Sequence, residues 1–121
     1  MIKVSHSSLF QSDLESAIDW LQLFSIANGK NPEVTIEDFK QELIQQILLI
    51  QNNPFIKPSY GPSNPTRRAI LLFGNFILEY QCVPWSEKRK SHIVEVILTA
   101  LVPARSGRYR GAFETLKHFN F

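Results

Sequence analysis

Between residues 9 and 24 the apolar positions Leu9, Phe10, Leu14, Ala17, Ile18, Leu21 and Phe24 recur at steps of three and four, which places them on one side of an α-helix. Ser12-Asp13-Leu14-Glu15 has the spacing of a capping box, and Ser7 or Ser8 offers an alternative start one turn earlier. Asn28-Gly29 closes the helix, because both residues accept the left-handed backbone of a C-terminal cap. A second stripe, Ile36, Phe39, Leu43, Ile47 and Ile50, predicts a helix that opens at Thr35, with Glu37 and Asp38 at the positive end of its dipole. Asn52-Asn53-Pro54 stops it. The short link from Gly29 to Val34 makes the two helices an antiparallel hairpin.

Beyond residue 53 the period changes. Residues 54–66 carry four prolines and one glycine and read as an irregular crossing. Arg68–Phe73, Phe76–Val83 and His92–Leu101 are short, rich in Ile, Leu, Val, Phe and Tyr, and read as strands. Gly74-Asn75 joins the first two tightly and the polar loop Pro84–Ser91 joins the second to the third, so the three form an antiparallel meander with one largely apolar face. Met1–Val4 is a weaker, short strand, Pro103 ends the last strand, and Tyr109–His118 is a short terminal helix. Helices first and strands afterwards is the α+β order, with the helical hairpin covering the meander. No repeat or linker divides the chain, so residues 1–121 are expected to form one domain.

Composition narrows the function classes. A chain of 121 residues, 44% hydrophobic and 20% charged, builds a core without a disulfide or metal staple. No apolar run approaches the roughly 18 residues of a membrane span and the first residues lack a signal-peptide apolar region, which makes the cytoplasm the expected location and no membrane the expected setting. Cys82 is alone and reads as a small buried hydrophobe. The net charge of +2 hides an asymmetry: residues 1–53 set three lysines against seven acids, −4, and residues 54–121 set ten cations against four acids, +6. The basic half suits a polyanion or an acidic polypeptide, or simply forms a solvated face of opposite sign.

Several chemistries find no support. His6, His92 and His118 are far apart with no second ligand at metal-binding spacing, the glycines make no phosphate-cradling loop, and no serine sits in a nucleophile elbow, so neither a metal nor a cofactor is expected. Cations and aromatics are more informative. Trp85 beside Lys88, Arg89 and Lys90 either stacks on a base or anchors a protein partner, or else folds back over the sheet while the cations remain solvated. After the last strand, Arg105, Arg108 and Arg110 carry forked donors that suit phosphate oxygens, and Tyr109 between them is placed to stack on a base or move a proton. The same arginines could instead complement the acidic helices, with Tyr109 seating the last helix. Arg67 and Arg68, entering the first meander strand, and Lys57 before it would extend a phosphate-binding surface if the strand end lies nearby.

The order of elements, with Asn53-Pro54 at the hairpin exit, Arg67-Arg68 before a strand and Gly74-Asn75-Phe76-Ile77-Leu78-Glu79-Tyr80, resembles the RelE/ParE superfamily of toxin–antitoxin toxins over nearly the whole chain. The resemblance implies a type II toxin neutralised by a cognate antitoxin that wraps around it, in a toxin–antitoxin hetero-oligomer or as a homodimer. It also implies one of two targets, DNA gyrase for the ParE branch or messenger RNA on the ribosome for the RelE branch. In the RNA-cleaving branch, Arg105, Arg108 and Tyr109 match the arginine and tyrosine that follow the last strand and would be the catalytic candidates of a metal-independent endoribonuclease. Ile77 stands where that branch would carry a catalytic arginine, and this departure favours the gyrase-directed branch. A non-toxic relative that only binds a protein partner is the third expectation.

Overall fold

The computed structural model describes residues 2–61, 64–71, 76–84 and 93–104. The chain runs β1 (Lys3–His6), α1 (Ser8–Ala27), α2 (Pro32–Asn52), β2 (Thr66–Leu71), β3 (Phe76–Val83) and β4 (Glu95–Pro103). The protein is α+β: two helices lie on one face of a four-stranded sheet of order β1-β4-β3-β2. β2, β3 and β4 form the antiparallel meander, and β1 adds a fourth strand, parallel to β4, with Lys3 opposite Glu95 and His6 opposite Leu98. The sheet is therefore mixed.

Local chemistry sets the boundaries. Ser7 is the N-cap of α1, its hydroxyl accepting from the Phe10 amide at 3.1 Å, so the earlier of the two serine starts is the one used. Asn28 caps the other end, and Gly29 follows at φ +68°, the left-handed turn that lets α2 fold back. α2 begins at Pro32 rather than Thr35: Asn31 is the N-cap, its side chain accepting from the Glu33 amide at 2.9 Å, and proline fits the first helical position because its missing N–H would have no acceptor there. Thr35 is thereby drawn inside the helix and buried.

The inner face of the sheet carries Leu71, Phe76, Leu78, Tyr80, Val96 and Leu101, packed against Phe10, Ala17 and Leu21 of α1 and Phe39, Leu43 and Ile50 of α2. Cys82 belongs to the same cluster. Between Tyr80↔Leu98 and Glu79↔Ala100 the register shifts by one residue at Thr99, so Leu98 and Leu101 both turn inward although three apart. β4 runs on past the end of β1, and the first turns of α1 fill the edge this leaves: Ser7 Oγ donates to the Thr99 carbonyl at 2.9 Å and Asp13 Oδ2 accepts from the Leu101 amide at 2.9 Å. A helix start and a strand end are thus bonded to each other.

Candidate functional site

Arg67 and Arg68 are neighbours on an edge strand, so their side chains leave on opposite faces of the sheet. Arg67 pairs with Tyr80 and Arg68 with Glu79 across the β2–β3 ladder. The 54–61 segment runs back along the start of β2, with a bridge between Ser59 and Arg67, the Arg68 amide donating to the Pro58 carbonyl at 3.0 Å and the Tyr60 amide donating to the Thr66 carbonyl at 3.3 Å. Both guanidiniums are tied into this segment. Arg67 stacks over the Phe55 ring at 4.7 Å and donates to the Lys57 carbonyl. Arg68 stacks over Tyr60 at 4.9 Å and donates to the Ser59 carbonyl at 3.0 Å.

The two arginines therefore clamp the 54–61 segment from both sides. Lys57 is brought to Arg67 through its backbone carbonyl, and its side chain is half-buried. Trp85, Lys88, Arg89, Lys90, Arg105, Arg108, Tyr109 and Arg110, together with the expected terminal helix, lie outside the described residues.

Tyr80 and Cys82 complete the clamp. Both sit on the inner face of β3, and the phenol donates to the Pro54 carbonyl at 2.7 Å, with the Cys82 thiol 3.8 Å from the same oxygen. Burial pushes the Tyr80 phenol well above its ordinary pKa; a charge on Cys82 would push it further, and the positive Arg67 opposes both. Burial likewise raises the Cys82 thiol, again against Arg67. Sequence reasoning missed this role for Tyr80. The available signal was parity: a tyrosine on the same strand face as Phe76 and Leu78 has to find an acceptor for its hydroxyl inside the core.

The outer face of the sheet divides in two. Its polar end holds Ser5 Oγ donating to Glu95 Oε2 at 2.6 Å, Lys3 Nζ 3.9 Å from the same carboxylate oxygen, and Gln81 Nε2 donating to Thr66 Oγ1 at 3.1 Å. Its other end holds Ile77, Ala100 and Val102, all buried. Ile77 is thus a packed apolar residue on the outer face, paired with Val102 of β4. Across the molecule, α1 and α2 leave an open apolar groove of about 350 Å³ beside His6, lined by Phe10, Leu14, Leu43, Ile44 and Ile47, with Lys40 on its rim. Ile44 and Leu48 are 55% and 51% exposed along this side of α2, a surface suited to a protein partner.

Among the described residues no helix is long and apolar enough to cross a membrane. No cluster of three or more His, Cys, Asp or Glu side chains able to hold a metal occurs among them either. No protein-family model matches the sequence, and no curated protein does.

Proposed function

We propose that the chain is a RelE/ParE-like toxin of a type II toxin–antitoxin system, held inactive by a cognate antitoxin bound across the sheet and helical hairpin, and stopping growth through DNA gyrase when free. The observation that carries the reading is the order of elements: a short first strand, a helical hairpin, then a three-stranded meander, with the first strand closing the sheet against the last. The apolar groove between the helices gives an antitoxin segment a place to bury side chains, and folding on binding suits such a wrapped partner.

Two features favour gyrase over messenger RNA as the target. Ile77 is buried at the position where an RNA-cleaving relative would need a cation, and Arg67 and Arg68 spend their guanidiniums on a loop. In-line attack by a ribose 2′-hydroxyl accumulates negative charge that a buried isoleucine cannot stabilise. The test is expression of the chain without the protein encoded by the adjacent reading frame. Growth arrest with relaxed or broken plasmid DNA and intact messages is the expected result. Messages cut at codon boundaries within minutes would transfer the reading to a metal-independent endoribonuclease using Arg105, Arg108 and Tyr109, and normal growth would leave only a protein-binding relative of the fold.

A further inference from the structure

β1 is an edge strand whose two sides are used differently. The Lys3 amide donates to the Val94 carbonyl at 3.1 Å and the Ser7 amide to the Leu98 carbonyl at 2.9 Å, so in this parallel ladder Lys3, Ser5 and Ser7 turn their backbone groups toward β4. Val4 and His6 alternate with them and turn their amides and carbonyls away from the sheet, where no group among the described residues bonds to them. On one side of this stretch Gln51 Nε2, at the end of α2, donates to the Ile2 carbonyl at 2.7 Å. On the other side the chain leaves the edge at Ser7 to open α1. The open edge is therefore confined to Val4–His6, with Ser5 at its centre, and an edge of unpaired backbone groups is a template for another strand.

An opening of this symmetry matches itself. In an antiparallel pair with Ser5 opposite the partner's Ser5, Val4 faces the partner's His6 and His6 faces the partner's Val4, and each pair exchanges both of its N–H···O=C bonds. Every outward-facing group is used and none is left over. Charge permits the approach: Lys3 falls opposite the partner's Ser7 and not opposite another cation, and its ammonium lies 3.9 Å from Glu95 Oε2 of its own sheet. The helical layer supplies apolar area that so short a strand pair lacks. α2 runs beside β1, from Ile44 and Ile47, which line the groove with His6, to Gln51 at Ile2. Ile44 and Leu48 are exposed along this side, and the two-fold axis carries them toward the same residues of the second copy.

We infer that two copies of this chain associate through β1, antiparallel about an axis at Ser5, so that the two sheets become one continuous sheet and Ile44 and Leu48 of the two α2 helices cover one another. The inference stands on the backbone parity of β1 and is independent of the toxin reading.

Amide exchange on the full chain at rising protein concentration tests it directly, with sedimentation reporting the mass. The mass is expected to move from one chain to two. Over the same range the Val4 and His6 amides are expected to slow at least about tenfold, while the Ser5 amide, which faces β4, stays slow throughout. His6→Pro removes an N–H that points away from the sheet, a position where an edge strand accepts proline, so this variant should keep its fold and sediment as a single chain where the parent is a dimer. Leu48→Glu sets two carboxylates near the axis and should weaken association at least about tenfold with the Ser5 amide still protected. A parent chain that stays single at every concentration would overturn the inference. So would a dimer whose Val4 and His6 amides exchange as fast as in dilute protein, or one that both variants leave intact, because association would then use another surface. Slowing of the two amides only on adding the protein encoded by the adjacent reading frame would assign the edge to that protein and overturn the inference equally.

Discussion

Toward the helices β3 presents Phe76, Leu78, Tyr80 and Cys82, all in one apolar cluster; away from them it presents Ile77, Glu79 and Gln81, apolar at one end and polar at the other. One strand thus supplies two surfaces with different duties. The inner face is closed by elements whose periodicity announces them, and it carries the stability of the fold. The outer face is closed only in part, and polar groups such as the Ser5–Glu95 pair are left there half-exposed. Even the paired arginines obey the division, one on each face, both recruited to hold the 54–61 segment.

The largest effects are expected on the inner face. Phe39 is fully buried and meets the Phe76 ring at 5.2 Å, so Phe39→Ala should cost about 3–5 kcal/mol in a urea titration. The outer face then separates two isoleucines that sit opposite one another: Ile77→Ala should cost about 2–4 kcal/mol and Ile70→Ala less than about 1 kcal/mol. Equal costs would erase the distinction between the covered and the open parts of that face. Arg67→Ala should be milder, about 2 kcal/mol, through loss of the Phe55 stack and the Lys57 carbonyl bond.

Much of this arrangement was legible in the sequence, and the failures have physical causes. Phe76–Val83 emerges with the bounds its alternation predicts, because that alternation is set within a few residues. Asn28-Gly29 and Asn53 are end signals for the same local reason. α2 starts a turn before the Thr35 that its stripe predicts, because Asn31-Pro32 supplies a cap and a preformed first turn together. β1 could be read as a strand but not as the partner of β4, since a parallel pairing across some 90 residues leaves no local trace. That Arg67 and Arg68 hold the 54–61 segment from opposite faces depends on strand geometry and on a partner segment some ten residues away, neither of which their dipeptide announces. No local feature of Pro54 says that its carbonyl will receive the Tyr80 phenol.

The smallest expected effect is the pH response of this inner-face anchor. Tyr80 and Cys82 both have raised pKa values in the fold, so the folded state holds their protons where the unfolded chain has begun to release them. Their contribution is present in full below the unfolded thiol and phenol values, about 8.5 and about 10, and is lost as pH climbs from those values toward the folded ones. Urea midpoints should therefore hold steady between pH 6 and about 8 and decline above that, with Cys82→Ala removing the first part of the decline and Tyr80→Phe the second.

Under the proposed toxin reading, growth arrest depends on Arg105 and Tyr109, while Arg67 and Arg68 hold the 54–61 segment. Growth after induction of the chain alone, compared between Arg67→Ala and Arg105→Ala with Tyr109→Ala, tests it most directly. The Arg67 variant is expected still to arrest growth at a temperature where it is folded, and the double variant, equally folded, is expected not to. Arrest lost in the first and kept in the second would contradict it.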